Sequence, residues 1–290
     1  MRLELAGSVI HPAPVVVPLS HGVPFHPQDF INLGYTNFDV ICIGAGGGIG
    51  GGINTANTGT LVRNYGGAGG GGGFHRVQGL LSALPAVCPV IVGAGGNPGI
   101  EHGSDPAQTT DGGDGGYSSF NDTTCQASGG TGGKRAQSNS LTVATQAHGG
   151  QGGVGNRITA GGGALGGTSG TPTATGPGTV GTDGADGGFQ DDVGQGGGGG
   201  AGGVAKFGGI TCNAATAGGR GSYNPGDLSV YGPGDAPSPD GATGASNTMP
   251  GGASGAKAAP VNGLPYIYGK SIGALQAGDP GIVVIRLTSV

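Results

Sequence analysis

The sequence predicts a mainly β fold with little or no helix, a small β-sandwich-like core joined to a bundle of short polyglycine-II helices. Three observations predict it. Glycine supplies 75 of the 290 residues, about a quarter of the chain against about 7 % in ordinary proteins. The large apolar residues gather in short β-branched runs of strand length bounded by glycine, as in Phe38-Asp39-Val40-Ile41-Cys42-Ile43, Val87-Cys88-Pro89-Val90-Ile91-Val92 and Ile282-Val283-Val284-Ile285-Arg286-Leu287. Between them glycine recurs with a local period of three, as in Gly112-Gly113-Asp114-Gly115-Gly116-Tyr117.

Composition excludes several classes. Charged residues are 9 % of the chain and the net charge is -5, which argues against a disordered polyelectrolyte, a coiled coil and a basic nucleic-acid binder. A collagen rod needs glycine at every third position without interruption, and no such register survives more than a few triplets. Prolines 12, 14 and 18 break any apolar leader core near the start, so neither a signal peptide nor a transmembrane segment is expected.

In chain order, residues 1–37 are expected to be an extended Pro-rich arm, because His11-Pro12-Ala13-Pro14-Val15-Val16-Val17-Pro18 disfavours helix and central strand. Such an arm could lie along a neighbouring subunit at little ordering cost. Residues 38–290 form one glycine-rich β/polyglycine-II domain. Its first strand, 38–43, runs into Gly44-Ala45-Gly46-Gly47-Gly48, and Leu61 to Tyr65 is a second candidate strand. Phe74 to Leu81 and Val87 to Val92 read as a hairpin turning at Ser82-Ala83-Leu84-Pro85. From about 101 to 260 the chain is glycine with small polar residues, including Gly129-Gly130-Thr131-Gly132-Gly133-Lys134 and Gly149-Gly150-Gln151-Gly152-Gly153-Val154. Leu264-Pro265-Tyr266-Ile267-Tyr268 and Ile282 to Leu287 return to strand, and the strands flanking the glycine region are expected to pair and close it.

Side-chain burial cannot order the glycine tracts. Each ordered glycine costs about 0.5–1 kcal/mol more than alanine. A three-residue-per-turn extended helix leaves its N–H and C=O groups pointing sideways, unsatisfied within itself. With two glycines in every three positions such helices can pack side by side and bond to one another, each bond contributing about 0.5–1.5 kcal/mol net. The third residues, Asp114, Thr131 and Gln151, would then face water.

No motif assigns a catalytic, cofactor-binding or metal-binding residue, and the chain is not expected to be an enzyme. Gly46-Gly47-Gly48-Ile49-Gly50-Gly51 meets the letter of a dinucleotide fingerprint, but a helix must follow and Gly52-Ile53-Asn54-Thr55-Ala56-Asn57 is a poor helix former. Gly263 to Ser271 misses phosphate-loop spacing by one residue. Asp183-Gly184-Ala185-Asp186-Gly187-Gly188-Phe189, with Asp191 and Asp192 nearby, has hard oxygen donors for a weak cation site, yet a single copy cannot stack as calcium nonapeptides do, and a solvated loop is the simpler reading. Cys42, Cys88, Cys125 and Cys212 form no CxxC pair and read as small buried hydrophobes, with a disulfide framework and, more weakly, a zinc site left open as alternatives. The six histidines, His11, His21, His26, His75, His102 and His148, are scattered without metal-ligand spacing.

Taken in order, Val92-Gly93-Ala94-Gly95-Gly96, Gly115-Gly116-Tyr117-Ser118-Ser119-Phe120 and Pro280-Gly281-Ile282-Val283-Val284-Ile285-Arg286-Leu287 resemble the glycine-rich domain of bacteriophage minor tail proteins, particularly those of phages that infect actinobacteria. The resemblance covers 38–290 and leaves the Pro-rich arm outside. It implies a virion structural protein at the distal tail, a homotrimer that touches other tail proteins and a host cell-surface glycan or envelope component. It implies no cofactor, no nucleic acid and no membrane span. The polar insertions 157–181 and 223–259 are then the expected host-contact loops. The alternatives are an extracellular or cell-surface glycine-rich protein and an ice-binding polyglycine-II protein, which would want one flat face of uniformly spaced Thr, Ser or Ala.

Overall fold

The computed structural model describes residues 11–57, 60–64, 67, 69–102, 106–135, 150, 189–190, 194–195, 205–207, 277–278 and 280–289. Over these residues the chain is mainly β, with antiparallel sheets and almost no helix. The elements in chain order are β1 (Val15–Leu19), α1 (Pro27–Ile31), β2 (Asn37–Ile43), β3 (Ile53–Asn57), β4 (Thr60–Asn64), β5 (Phe74–Leu80), β6 (Val90–Ile91), β7 (Ser118–Phe120), β8 (Cys125–Ala127), β9 (Phe189–Gln190), β10 (Gly194–Gln195), β11 (Ala205–Phe207) and β12 (Ile282–Thr288). A six-stranded sheet runs β1-β12-β2-β5-β10-β9, and two three-stranded sheets run β11-β4-β3 and β6-β7-β8.

The strands that flank the glycine region do pair. β12 lies antiparallel to β2 in full register from Ile282 opposite Ile43 to Thr288 opposite Asn37. Both are rich in β-branched residues, and alternate side chains separate to opposite faces of the sheet. On one face Phe38, Val40, Cys42, Val283, Ile285 and Leu287 are buried together with Phe120, Cys125 and Ala127 of the β6-β7-β8 sheet. On the other, Ile41 and Ile43 form a second buried group with Ile282 against it. The β7–β8 turn holds Asn121 at φ 48° and Asp122 at φ 54°, the two residue types whose short polar side chains best tolerate left-handed backbone.

One expectation needs correction. The hairpin of 74–81 with 87–92 does not form. β5 instead pairs along its whole length with β2, Asn37 opposite Leu80 through Ile43 opposite Phe74. The run 87–92 is divided by Pro89, which has no N–H to give a ladder. Cys88 exchanges two backbone bonds with Phe25, both 2.9 Å, and Val90–Ile91 pairs with β7. Residues 81–83, where the turn was expected, are a single 3-10 turn.

The described part of the Pro-rich arm is extended at 15–19 and turns into a short helix after it. Residues 15–19 join this chain's own sheet, with Val15 opposite Leu287 through Leu19 opposite Val283. Val15, Val17 and Leu19 alternate inward and pack on the core, and Pro18 is tolerated because β1 is an edge strand. After it, α1 opens with Pro27 in its first turn, where the missing N–H costs nothing. Phe25 and Phe30 stack with ring centroids 5.0 Å apart, and Phe25 meets Phe120 edge-on at 5.6 Å. Residues 20–36 are therefore a lid on the apolar core.

The candidate strand 61–65 appears as β4. The strand expected at 264–268 and the tract 149–154, apart from Gly150, lie outside the described residues.

Candidate functional site

The strands leave the core directly into glycine. Segment 44–52 follows β2, 67–73 leads into β5, 93–102 follows β6, 110–117 leads into β7, 128–134 follows β8, and 277–281 leads into β12. These segments bond to one another at every third residue. Gly44, Gly47 and Gly50 donate to the carbonyls of Gly73, Gly70 and Gly67, each at 2.9 Å. Ala45, Gly48 and Gly51 donate to Gly116, Gly113 and Thr110, also at 2.9 Å. The carbonyls of Ala45 and Gly48 accept from Gly130 and Gly133, and those of Gly46, Ile49 and Gly52 accept from Gly96, Gly99 and His102. Segment 44–52 is thus the hub of a lattice, bonded to four neighbours.

The neighbours also bond around the hub. Gly67, Gly70 and Gly73 donate to Lys134, Thr131 and Ser128; Gly112 and Gly115 donate to Gly133 and Gly130; Gly113 and Gly116 donate to Asn97 and Ala94; Gly278 and Gly281 donate to Gly96 and Gly93. Residues 41–52 are all buried. A Cβ added at Gly44, Gly47, Gly48, Gly50 or Gly51 would collide with the carbonyl of Ser128, Thr131, Asn97, Lys134 or Ile100 respectively. Among the described residues the only glycines with left-handed φ are Gly22 and Gly34. The lattice therefore needs glycine for its missing side chain and not for an unusual dihedral.

Side chains reappear where the lattice meets water. Ala94, Asn97 and Ile100, then Asp111, Asp114 and Tyr117, then Thr131 and Lys134, are exposed at three-residue spacing. Asp114 and Thr131 face solvent as the sequence reading expected; Gln151 lies outside the described residues. Asp114 Oδ1 accepts from the Gly132 amide at 2.8 Å, and Asp111 binds the Lys134 ammonium at 2.9 Å and the Arg135 amide at 2.9 Å. Burial works to raise the Asp111 carboxyl, but the Arg135 amide and the Lys134 charge outweigh it and hold it below its ordinary value.

The pattern Gly46 to Gly51 lies inside this lattice, walled by carbonyl oxygens, which repel rather than cradle a phosphate. The acidic cluster at Asp183, Asp186, Asp191 and Asp192, the insertions 157–181 and 223–259, Cys212 and His148 lie outside the described residues. Cys42, Cys88 and Cys125 are buried free thiols. No group of three or more His, Cys, Asp or Glu that could hold a metal occurs among the described residues, and no described helix is long and apolar enough to cross a membrane.

No protein-family model matches the chain, and no curated protein matches it.

What the chain can do follows from its own side chains. At the root of the lattice β2 and β8 bring two thiols together over β5. The Cys42 thiol donates to the Cys125 carbonyl at 3.3 Å, the Cys125 thiol donates to the His75 carbonyl at 3.2 Å, and His75 Nδ1 accepts from the Gln126 amide at 3.0 Å. Burial pushes the Cys42 thiol well above its ordinary range and Cys125 adds to the rise; burial alone pushes Cys88 up to about 11. Both stay protonated and inert at neutral pH. Ser118 Oγ accepts from the Gly93 amide at 3.0 Å, so the GGYSSF run supplies a lattice anchor. On the opposite face of the large sheet Arg76 clasps Asp39 with both carboxylate oxygens engaged. Sequence reasoning missed these contacts. The available signal was the isolated charge inside each apolar run, Asp39 in β2 and Arg286 in β12.

Proposed function

We propose that the chain is a virion structural protein of the distal tail of a bacteriophage, a minor tail protein that contributes to attachment at the host surface. On this reading the glycine segments are a bundle of short polyglycine-II helices, and the two sheets that share the apolar core are a small β-sandwich. The observation that carries the reading is the three-residue hydrogen-bond period linking six segments, with 44–52 as their hub, because that period belongs to threefold extended helices bonded sideways. The mixed runs VGAGG, GGYSSF and PGIVVIRL add the likeness to minor tail proteins, and the structure uses each at the joint between sheet and lattice.

A distal tail part must hold its shape against load with little mass and offer side chains outward. Backbone bonds between the glycine segments supply stiffness without a large apolar core, and the outward positions carry the side chains. Its partners on this reading are further copies of itself in a homotrimer, neighbouring tail proteins and a host surface glycan or envelope component.

The test is a purified particle. Peptide mapping of banded phage together with antibody-gold labelling should find the chain at the distal tail in a threefold assembly. Its absence from infectious particles overturns the assignment. Shortening the polar insertions 157–181 and 223–259, the expected host-contact loops, should slow adsorption. Adsorption at the normal rate with both insertions shortened removes the attachment role.

A further inference from the structure

The outward face of the six-stranded sheet has charge chemistry that neither the lattice nor the core requires. Asp39 stands in β2 between its register partners Arg286 on β12 and Gln78 on β5. Arg76 is two residues from Gln78 on β5, so its side chain leaves from the same face. Arg76 Nε donates to Asp39 Oδ1 at 2.8 Å, Arg76 Nη2 donates to Oδ2 at 2.5 Å, and Gln78 Nε2 donates to Oδ2 at 3.1 Å. Three of the roughly four acceptor sites of the carboxylate are thereby used.

Arg286 lies directly across from this largely engaged carboxylate, half-buried, with no ion pair among the described residues. Together with Asn37, Asp39, Arg76, Gln78 and Thr288 it lines an open depression of about 520 Å³. Two guanidinium groups meet one carboxylate there, an excess of positive charge on a chain whose net charge is -5. A guanidinium with no ion pair among the described residues is matched by an oxyanion, which it takes in two parallel hydrogen bonds. The amide of Asn37 and the hydroxyl of Thr288 at the same wall suit the hydroxyls of a ring.

We propose that this depression is a binding groove for a sugar carrying an oxyanion, a carboxylate or a phosphate, with Arg286 as the anion-recognising residue and the Arg76–Asp39–Gln78 cluster as the frame that keeps it available. The groove stands on the geometry of the sheet and goes beyond the tail assignment, which it neither needs nor supports.

Calorimetric titration of the full-length protein with glucuronate, glucose 6-phosphate, glucose and inorganic phosphate tests it. Glucuronate, glucose 6-phosphate or both should bind while glucose does not, and comparing the two identifies the oxyanion preferred. Arg286→Gln should weaken that binding about tenfold or more, since hydrogen bonds to charged groups are worth that much. Arg286→Lys should keep part of it, and serves alone if the glutamine variant fails to fold. Lys134→Gln, which removes a cation outside the groove, should leave affinity unchanged. Binding of neither oxyanion sugar at tens of millimolar overturns the proposal, as does undiminished affinity in both Arg286 variants. Inorganic phosphate binding as tightly as the sugar phosphate overturns it too, because the ring would then contribute nothing.

Discussion

Gly48 shows what a single residue contributes here. Its amide bonds Gly113, its carbonyl accepts from Gly133, and the space beside its Cα is filled by the backbone of Asn97 and Gly96. A methyl group has nowhere to go, and backbone cannot rotate aside as a side chain can. Gly48→Ala should destabilise the protein by about 3 kcal/mol or more, beyond ordinary overpacking. Asn97→Ala, on the exposed side of the same contact, should stay within about 0.5 kcal/mol. Urea unfolding of both variants checks the pair, and equal effects would contradict the lattice. At Cys42 and Cys88 burial governs thiol chemistry in the same residue-by-residue way. Cys42 and Cys88 are buried with raised pKa values, so alkylation at pH 8 followed by peptide mapping should leave both unmodified until denaturant is added.

Among the elements, β12 has the most to lose, because it alone joins β1 to β2. Truncation after residue 276 removes both of its ladders and the lattice donors Gly278 and Gly281. The shortened chain should be recovered unfolded or aggregated, and a soluble product with a cooperative melt would refute the closure of the domain by its last strand. The junction of 110–117 with 128–134 has a pH dependence of its own. The Asp111 carboxyl is held below its ordinary 3.8. A depressed folded pKa gives stability that is present above the unfolded value and lost as pH falls through the folded one. Thermal stability should therefore drop on acidification below about pH 3.8 through this contact, and Asp111→Asn should lose that part of the acid sensitivity while being less stable at pH 6. Side chains 41 % and 54 % exposed make the effect small.

At the scale of the whole molecule, order comes from two sources that share one chain. The apolar faces of β2, β12 and the β6-β7-β8 sheet make a core of ordinary kind, and the same strands continue as glycine segments whose bonds replace side-chain packing. Hydrogen exchange should therefore find the amides of 44–51 that enter the lattice about as protected as those of β2. Exchange of those amides at free-peptide rates would mean that the glycine region has no fixed structure. Part of this was legible in advance. The runs 38–43 and 282–287 announced strands by β-branching, and the outward placement of Asp114 and Thr131 followed from the period of three. That 74–81 and 87–92 do not pair was not legible, because Cys88 pairs with Phe25 across 63 residues of sequence. The groove at Arg286 was equally hidden, since Asp39, Arg76 and Arg286 meet only through strand pairing.

Composition and local pattern alone were enough to dictate that the described residues would be β-rich, nearly free of helix and dependent on backbone bonding, since segments with so little side chain have no other means of ordering themselves. Pairing in three dimensions determined which glycine block became the hub, that the Pro-rich arm closed this chain's own sheet, and which charges came to face each other. Glycine blocks look alike in sequence; only the strand each one leaves, and the carbonyls of the segments that strand pairing sets beside it, distinguish the buried centre from the wetted edge.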